Sequence, residues 1–94
     1  MEVIHNTNAH QFEVHHDKGL SLATYRIRGD QIHFLHTEVP DALEGQGIAS
    51  QLAKTALEFA RAENLKVWPY CPFFEVYIQR HSEYANLVDP AFRK

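Results

Sequence analysis

Apolar and polar residues alternate in the amino-terminal part of the chain, as they do in half-buried strands. Residues 11–16 alternate in this way, and residues 20–28 are rich in side chains that favour strands. Asp17-Lys18-Gly19 between them is typical of a hairpin turn, and Gly29-Asp30 turns the chain again. A third strand is predicted over residues 31–39. This order indicates consecutive antiparallel strands.

The third strand carries apolar side chains on both faces, so we predict that it is covered on both sides. Strict alternation would place Ile32, Phe34, His36 and Glu38 on one face, and His33, Leu35, Thr37 and Val39 on the other. Pro40 then ends the pairing, because proline has no amide hydrogen to donate.

The apolar spacing changes to a helical period after the glycines at positions 45 and 47. It predicts a helix over residues 48–63 with Asn64 as its stop, followed by a short strand over residues 65–70 that Pro69 breaks. A second helix is predicted over residues 73–81, after Pro72, and a short helical turn over residues 84–88 of the tail. The apolar positions of the first helix are Ala49, Leu52, Ala53, Ala56, Leu57 and Ala60.

The strand, helix and strand between residues 31 and 71 should form a right-handed crossover that joins parallel neighbours. The chain is therefore predicted to be α/β (α+β), with a mixed, mostly antiparallel sheet and helices on both faces. Its 94 residues suffice for a single domain spanning residues 1–94.

Composition excludes several classes of function. A net charge of −3 with nine scattered Lys and Arg residues argues against nucleic-acid binding. No apolar run approaches a membrane span and the polar start is unlike a signal peptide, so we expect a cytoplasmic monomer. The single cysteine, Cys71, excludes an internal disulfide and a cysteine-rich zinc site. The seven histidines show no spacing that indicates a metal site.

The turn between the third strand and the first helix is the best candidate for ligand binding. It contains Gly45 and Gly47, and glycines let an anion approach the free amides of a helix start. A Walker loop is excluded because its lysine is absent. A dinucleotide fingerprint is weak, because Ser50 stands where a third Gly or Ala is required and Tyr70 and Cys71 stand where an acidic residue should close the next strand.

The residues around this turn resemble the acetyl-CoA-binding signature of the GNAT superfamily of N-acyltransferases. The resembling segment is Val39-Pro40-Asp41-Ala42-Leu43-Glu44-Gly45-Gln46-Gly47-Ile48-Ala49. The chain is more closely similar to a small stand-alone GNAT-like subfamily over almost its whole length. The further shared motifs are His36-Thr37-Glu38-Val39-Pro40, Cys71-Pro72-Phe73 and Tyr77-Ile78-x-Arg80-His81.

The resemblance implies a minimal GNAT fold and a binding site for acetyl-CoA. The pyrophosphate of CoA would contact backbone amides of Gly45, Gln46, Gly47, Ile48, Ala49 and Ser50. The pantetheine arm would pair with backbone at Thr37, Glu38 and Val39, where two prolines should leave a splayed gap between strands. Glu44 departs from the Gln or Arg of the signature, so only its backbone is expected to contact the cofactor. The implied contacts further along the chain are Cys71, Phe73, Tyr77 and Arg80.

Four side chains are candidates for chemistry, and each has a plainer explanation. Cys71 would start the second helix, where a thiol could accept acetyl or line the thioester site, or it is an inert buried cysteine. Glu38 or His36 could deprotonate an amine, or both are solvated or packed strand residues. Tyr77 could protonate the leaving thiolate, or it is a core aromatic. Arg80 and Lys54 could reach CoA phosphates, or they are surface charges.

The resemblance implies an acetyl-CoA-dependent N-acetyltransferase that acts on an unidentified amine, by direct transfer or through acetyl-Cys71. A non-catalytic acetyl-CoA-binding module is the alternative, because the amino-terminal helices that help to form the acceptor site in larger family members have no counterpart in this sequence. A third hypothesis is an interaction domain that keeps only the fold.

Overall fold

A five-stranded sheet with the order β1-β2-β3-β4-β5 organises the computed structural model, which describes residues 1–93. The first four strands pair antiparallel, and β5 pairs parallel to β4. The mixed sheet and its crossover are therefore confirmed. The strands are β1 (Ile4–Asn6), β2 (Gln11–His16), β3 (Gly19–Arg28), β4 (Gln31–Glu38) and β5 (Lys66–Pro69). Only β1, which is three residues long, was not predicted.

Two α-helices follow the antiparallel strands, α1 (Ile48–Ala62) and α2 (Pro72–Arg80), and both lie close to their predicted bounds. Asn64 ends α1 as predicted. Its φ is +55°, and the amide of Leu65 donates to the carbonyl of Ala60 over 2.9 Å, which closes the helix in a Schellman motif. Three short 3₁₀ helices complete the fold: Asp41–Leu43, Ser82–Leu87 and Pro90–Arg93.

Both α-helices pack on the same face of the sheet. Phe59 of α1 lies 6.5 Å from Tyr25, and Phe74 of α2 stacks on Phe34 at 4.3 Å between ring centroids. Tyr25 and Phe34 are paired across β3 and β4, so their side chains share a face. The prediction of helices on both faces is wrong for the α-helices, because the crossover fixes the side of α1 only. We call the opposite side the open face. Within the described part of the chain, the 3₁₀ helix Pro90–Arg93 is the helix that packs on the open face.

A β-bulge at Leu35 reverses the side-chain alternation along β4. Tyr25 pairs with Phe34 and the preceding Thr24 pairs with His36, so Leu35 is an extra residue. Beyond the bulge Thr37 pairs with the fully buried Ala23 and lies on the helix side. His36 and Glu38 therefore lie on the open face. The predicted face shared by Phe34, His36 and Glu38 is wrong, since strict alternation cannot reveal an inserted residue.

Coverage of β4 also differs from the prediction. Ile32 and Phe34 are fully buried under the helices, whereas Leu35 on the other side is 42% exposed. The apolar residues on both faces of the strand led to the prediction of two-sided cover. The open face is instead a partly apolar surface in contact with solvent.

Stability should depend on the protonation of His5, which stacks on Phe12 at 4.1 Å and bonds the Tyr25 hydroxyl at 2.6 Å. Burial lowers the pKa of His5, so the unfolded chain binds this proton more readily than the folded protein. The free energy of unfolding should therefore fall as the pH drops below the ordinary histidine value of 6.5. Urea unfolding between pH 7.5 and 5.5 should show that the free energy of unfolding depends less on pH in His5→Phe than in the wild type. The exposed-site variant His16→Phe should keep the wild-type dependence, and an equal dependence in all three proteins would contradict this role of His5.

Candidate functional site

A cleft of about 290 Å³ lies between the end of β4, the glycine turn and the first turns of α1 and α2. Except for Leu43, every residue that lines it is among those for which the sequence predicted contact with the cofactor. Gln46, which belongs to the same predicted set, is exposed and is not part of the lining. The lining residues are Val39, Leu43, Glu44, Gly45, Gly47, Ile48, Ala49, Ser50 and Phe73.

The glycine turn holds the backbone in a conformation that exposes amides to the cleft. Gly45 and Gly47 have φ values of +84° and +80°, and side chains rarely tolerate this left-handed region. Gly47 caps α1 without any side-chain hydrogen bond to the first helical amides. A Cβ at either glycine would meet no other atom within 4 Å, so the space above the turn is free. Free amides, the helix dipole and open space together suit an anion such as a pyrophosphate.

The sheet splays apart beside this cleft, as predicted. Pairing between β4 and β5 ends at Phe34 and Pro69, and the amide of Cys71 then donates to the carbonyl of Phe34 over 2.9 Å. Within the described residues, β4 continues to Glu38 with β3 as its strand partner. Proline has no donor to extend the pairing, so the end of β4 retains backbone groups that can bond a ligand.

Cys71 lies at this gap on the helix side. It is the N-cap of α2, as the sequence predicted, and it is 4% exposed. Its Sγ is 3.3 Å from Oγ1 of Thr37, so the sulfur and the end of β4 are in contact. Phe73, two residues further on, lines the cleft. Cys71 itself is not among the lining residues, and it lies next to the cleft through Phe73.

Glu38 and His36 form a pair on the open face, with Nε2 of His36 3.0 Å from Oε2 of Glu38. Their side chains are 65% and 60% exposed. Thr37 lies between them in the sequence and points to the other side of the sheet, towards Cys71. The candidate base and the candidate nucleophile are thus neighbours along the backbone, but they lie on opposite sides of the gap.

Tyr77 is 7% exposed and lies one helical turn beyond Phe73, at 6.3 Å between ring centroids. Its ring stacks on His81 at 3.9 Å. Burial raises the pKa of the Tyr77 hydroxyl, and the charges of Glu83 and Glu58 raise it further, so the hydroxyl keeps its proton at neutral pH. Tyr77 is not among the residues that line the cleft.

The two predicted phosphate contacts lie outside the cleft. Arg80, the last residue of α2, and Lys54 on α1 are both exposed, and neither belongs to the lining. Leu43 is the lining residue that the sequence did not identify. It is fully buried and anchors the 3₁₀ helix that leads into the glycine turn. A large apolar residue in an otherwise polar loop was the available signal.

Residues 1–93 contain neither a metal-binding cluster nor a membrane-spanning helix. No three His, Cys, Asp or Glu side chains are grouped closely enough to bind a metal ion. None of the helices combines the length and the apolar character needed to cross a bilayer.

Comparison with known proteins identifies the family and the fold. The family model described as GCN5-related N-acetyl-transferase matches residues 11–87. Protein NATD1 of Mus musculus is 40% identical over 97 residues, which cover 96% of this chain and 86% of that protein. Protein NATD1 of Homo sapiens is also 40% identical, with 96% and 84% covered.

A solved structure has the same fold. It is the NMR solution structure of a GCN5-like candidate N-acetyltransferase from Staphylococcus aureus, with a TM-score of 0.74 and 30% sequence identity. The match covers 94% of this chain and 87% of that one. Sequence and structure thus agree, and the chain belongs to the GCN5-related N-acetyltransferase family.

Proposed function

We propose that this protein transfers an acetyl group from acetyl-CoA to the nitrogen of an amine. The observation that carries the proposal is the continuity of the site. A cleft with free helix amides at one end is lined at the other by Val39 and Phe73, and each of these is two residues from the contact between Thr37 and Cys71 at the splayed gap. Enzymes of this family use acetyl-CoA. Its pyrophosphate would bind at the free helix amides, its amide-bearing arm along the end of β4, and its thioester beside Cys71 and Thr37.

The chemical step needs a neutral amine, a thioester carbonyl and a proton acceptor. The neutral amine nitrogen bonds to the carbonyl carbon, the bond from that carbon to sulfur breaks, and the surplus proton of the nitrogen passes to the departing sulfur, so that CoA leaves as the thiol. We assign the removal of a proton from the ammonium form of the amine to Glu38, which lies at the end of β4 with its carboxylate 3.0 Å from Nε2 of His36. In the direct route Cys71 lines the thioester site. In the covalent route the sulfur of Cys71 first displaces CoA from the acetyl carbon, and the amine then displaces Cys71, which leaves as the thiol.

Acetyl-CoA titration followed by amide NMR tests the binding part of the proposal. The amides of residues 45–50 should shift with saturation, because they would contact the pyrophosphate. If other amides shift and those of residues 45–50 do not, the cleft is not the binding site of the pyrophosphate.

A screen of free amines and peptides for CoA release tests the catalytic part. Glu38→Gln should lower kcat/KM about a hundredfold if its carboxylate is the base, whereas the exposed-site control Glu63→Gln should match wild type. Equal rates in both variants would remove Glu38 from the mechanism. The wild type should show an acetyl adduct in the intact mass that Cys71→Ser lacks if the covalent route operates. Absence of an adduct in both proteins leaves the direct route.

The second candidate function is a non-catalytic acetyl-CoA-binding module. The observation in its favour is that Glu38 and His36 are exposed on a sheet face, whereas catalytic groups usually lie in a cavity. Measured acetyl-CoA binding without CoA release to any amine would support this module.

A further inference from the structure

Four aromatic rings form a continuous patch on the open face, and we call this patch the aromatic shelf. The centroid of the His33 ring lies 5.3 Å from that of Trp68 and 5.4 Å from that of Tyr70. Phe92 lies 5.6 Å from Trp68 and 5.3 Å from Tyr70. Tyr70 is 52% exposed, whereas the other three rings are half-buried and Phe92 packs against the edge of the core.

The shelf is held in place by polar contacts behind it. Nε1 of Trp68 donates to Oδ2 of Asp89 over 2.9 Å, and the amide of Asp89 donates to the carbonyl of Val67 over 3.0 Å. Arg93, next to Phe92, donates to both carboxylate oxygens of Glu75 over 2.6 and 2.8 Å. An exposed Tyr70 ring on three half-buried rings that are fixed in this way forms a preorganised surface, and contiguous apolar surface marks binding sites.

The shelf borders the gap from the side opposite the α-helices. Tyr70 directly precedes Cys71, and Leu35 and Glu38 are exposed on the same open face. On its other side the gap is bordered by α1, α2 and the cleft between them. If acetyl-CoA occupies that cleft, an acceptor reaches the thioester from the open face and passes the shelf.

We propose that the aromatic shelf binds the acceptor, and that the acceptor is a primary amine attached to a short aromatic body, that is, an arylalkylamine. This inference rests on the proposed function. Ring stacking on Tyr70 would hold the aromatic body, while the negative Glu38 attracts the ammonium end and removes its proton before transfer. The opposite ends of the acceptor thus match an aromatic surface and a carboxylate.

Two probes that differ in their aromatic ring test this class of acceptor. CoA release should be more efficient with phenethylamine than with n-butylamine, by about tenfold in kcat/KM. Tyr70→Ala should raise the KM for phenethylamine about tenfold and leave that for n-butylamine and the Kd for acetyl-CoA unchanged, because only ring contacts are lost. Tyr70→Phe should behave like wild type. Val76→Ala, at a residue of α2 that is 43% exposed and outside the shelf, is the matched surface control.

The outcomes separate this inference from the proposed function. If the amide resonances of residues 45–50 do not shift with acetyl-CoA, the proposed function fails and the inference fails with it. With acetyl-CoA bound, equal efficiency of the two amines, or equal losses for both in Tyr70→Ala, overturns the shelf alone. A lysine peptide that outperforms phenethylamine also overturns it. If no amine is turned over, the NMR resonance of the Trp68 indole in the acetyl-CoA-saturated protein tests binding to the shelf. A shift with phenethylamine and none with n-butylamine supports the inference. The absence of any shift overturns it.

Discussion

Replacing Gly47 with alanine is expected to weaken acetyl-CoA binding at least about tenfold, a loss of about 1.4 kcal/mol. An L-residue at the observed φ of +80° is strained by roughly 1–2 kcal/mol, and relief of that strain would turn the first amides of α1 away from the ligand. The added Cβ would also project into the free space above the turn. Isothermal titration calorimetry with acetyl-CoA measures the change in Kd.

Gly29→Ala is the matched control for this variant. Gly29 also has a positive φ, +62°, and a Cβ there would also meet no atom within 4 Å, but it lies in the turn between β3 and β4. Both variants should lose comparable stability, and only Gly47→Ala should lose affinity. An unchanged Kd in Gly47→Ala, or an equal loss in both variants, would show that the glycine turn does not bind the cofactor.

The largest effect on stability is expected from Phe34→Ala, at about 3–5 kcal/mol. Phe34 is fully buried, stacks on Phe74 of α2 at 4.3 Å and pairs with both neighbouring strands. Its removal leaves a cavity where the sheet, α2 and the start of the gap meet. A loss of this size is a large fraction of the stability of a small domain. Urea unfolding followed by circular dichroism measures it.

The neighbouring residue provides the control. Leu35→Ala also truncates a large apolar side chain, but Leu35 is 42% exposed and should change the free energy of unfolding by no more than about 0.5 kcal/mol. Equal losses at the two positions would mean that the open face is covered in solution, since Leu35 would then be buried as well.

Local signals in the sequence were sufficient for most of the architecture. Alternation located β2, β3 and β4, and helical spacing located α1 within a residue at each end. Asn64 as the stop of α1 was a correct prediction, because few residues other than glycine adopt a positive φ at a helix end. The prolines at the ends of β4 and β5 correctly predicted where the sheet splays.

The features that the sequence did not predict depend on contacts between distant residues. β1 has three residues, too few for a periodic pattern, and its pairing with β2 defines it. The bulge at Leu35 is visible only as a shift in register between β3 and β4. The side of the sheet on which α2 packs depends on the stacking of Phe74 on Phe34, which no spacing within either segment encodes.

The sequence of the glycine turn was sufficient to predict the cleft. It was not sufficient to predict how the side chains of Glu38 and Cys71 are arranged. Residues 44–50 were expected to face one ligand because a helix starts there, and most of them line one cleft. Glu38 and Cys71 were expected near the same gap, but their separation to opposite sides of the sheet follows from one extra residue in β4. The aromatic shelf combines residues from β4, β5 and the terminal 3₁₀ helix, so no single stretch of sequence reveals it.

The bulge in β4 gives two adjacent residues very different access to water. Thr37 contacts the 4% exposed Cys71, whereas the side chain of Glu38 is 65% exposed. A thioester held as close to Cys71 as Thr37 is would have little contact with bulk water, because Cys71 is only 4% exposed. A carboxylate on the other side can return each proton that it takes directly to the solvent. In the proposed reaction, one inserted residue in β4 would thus separate the shielded site of the acyl donor from a carboxylate that exchanges protons with water.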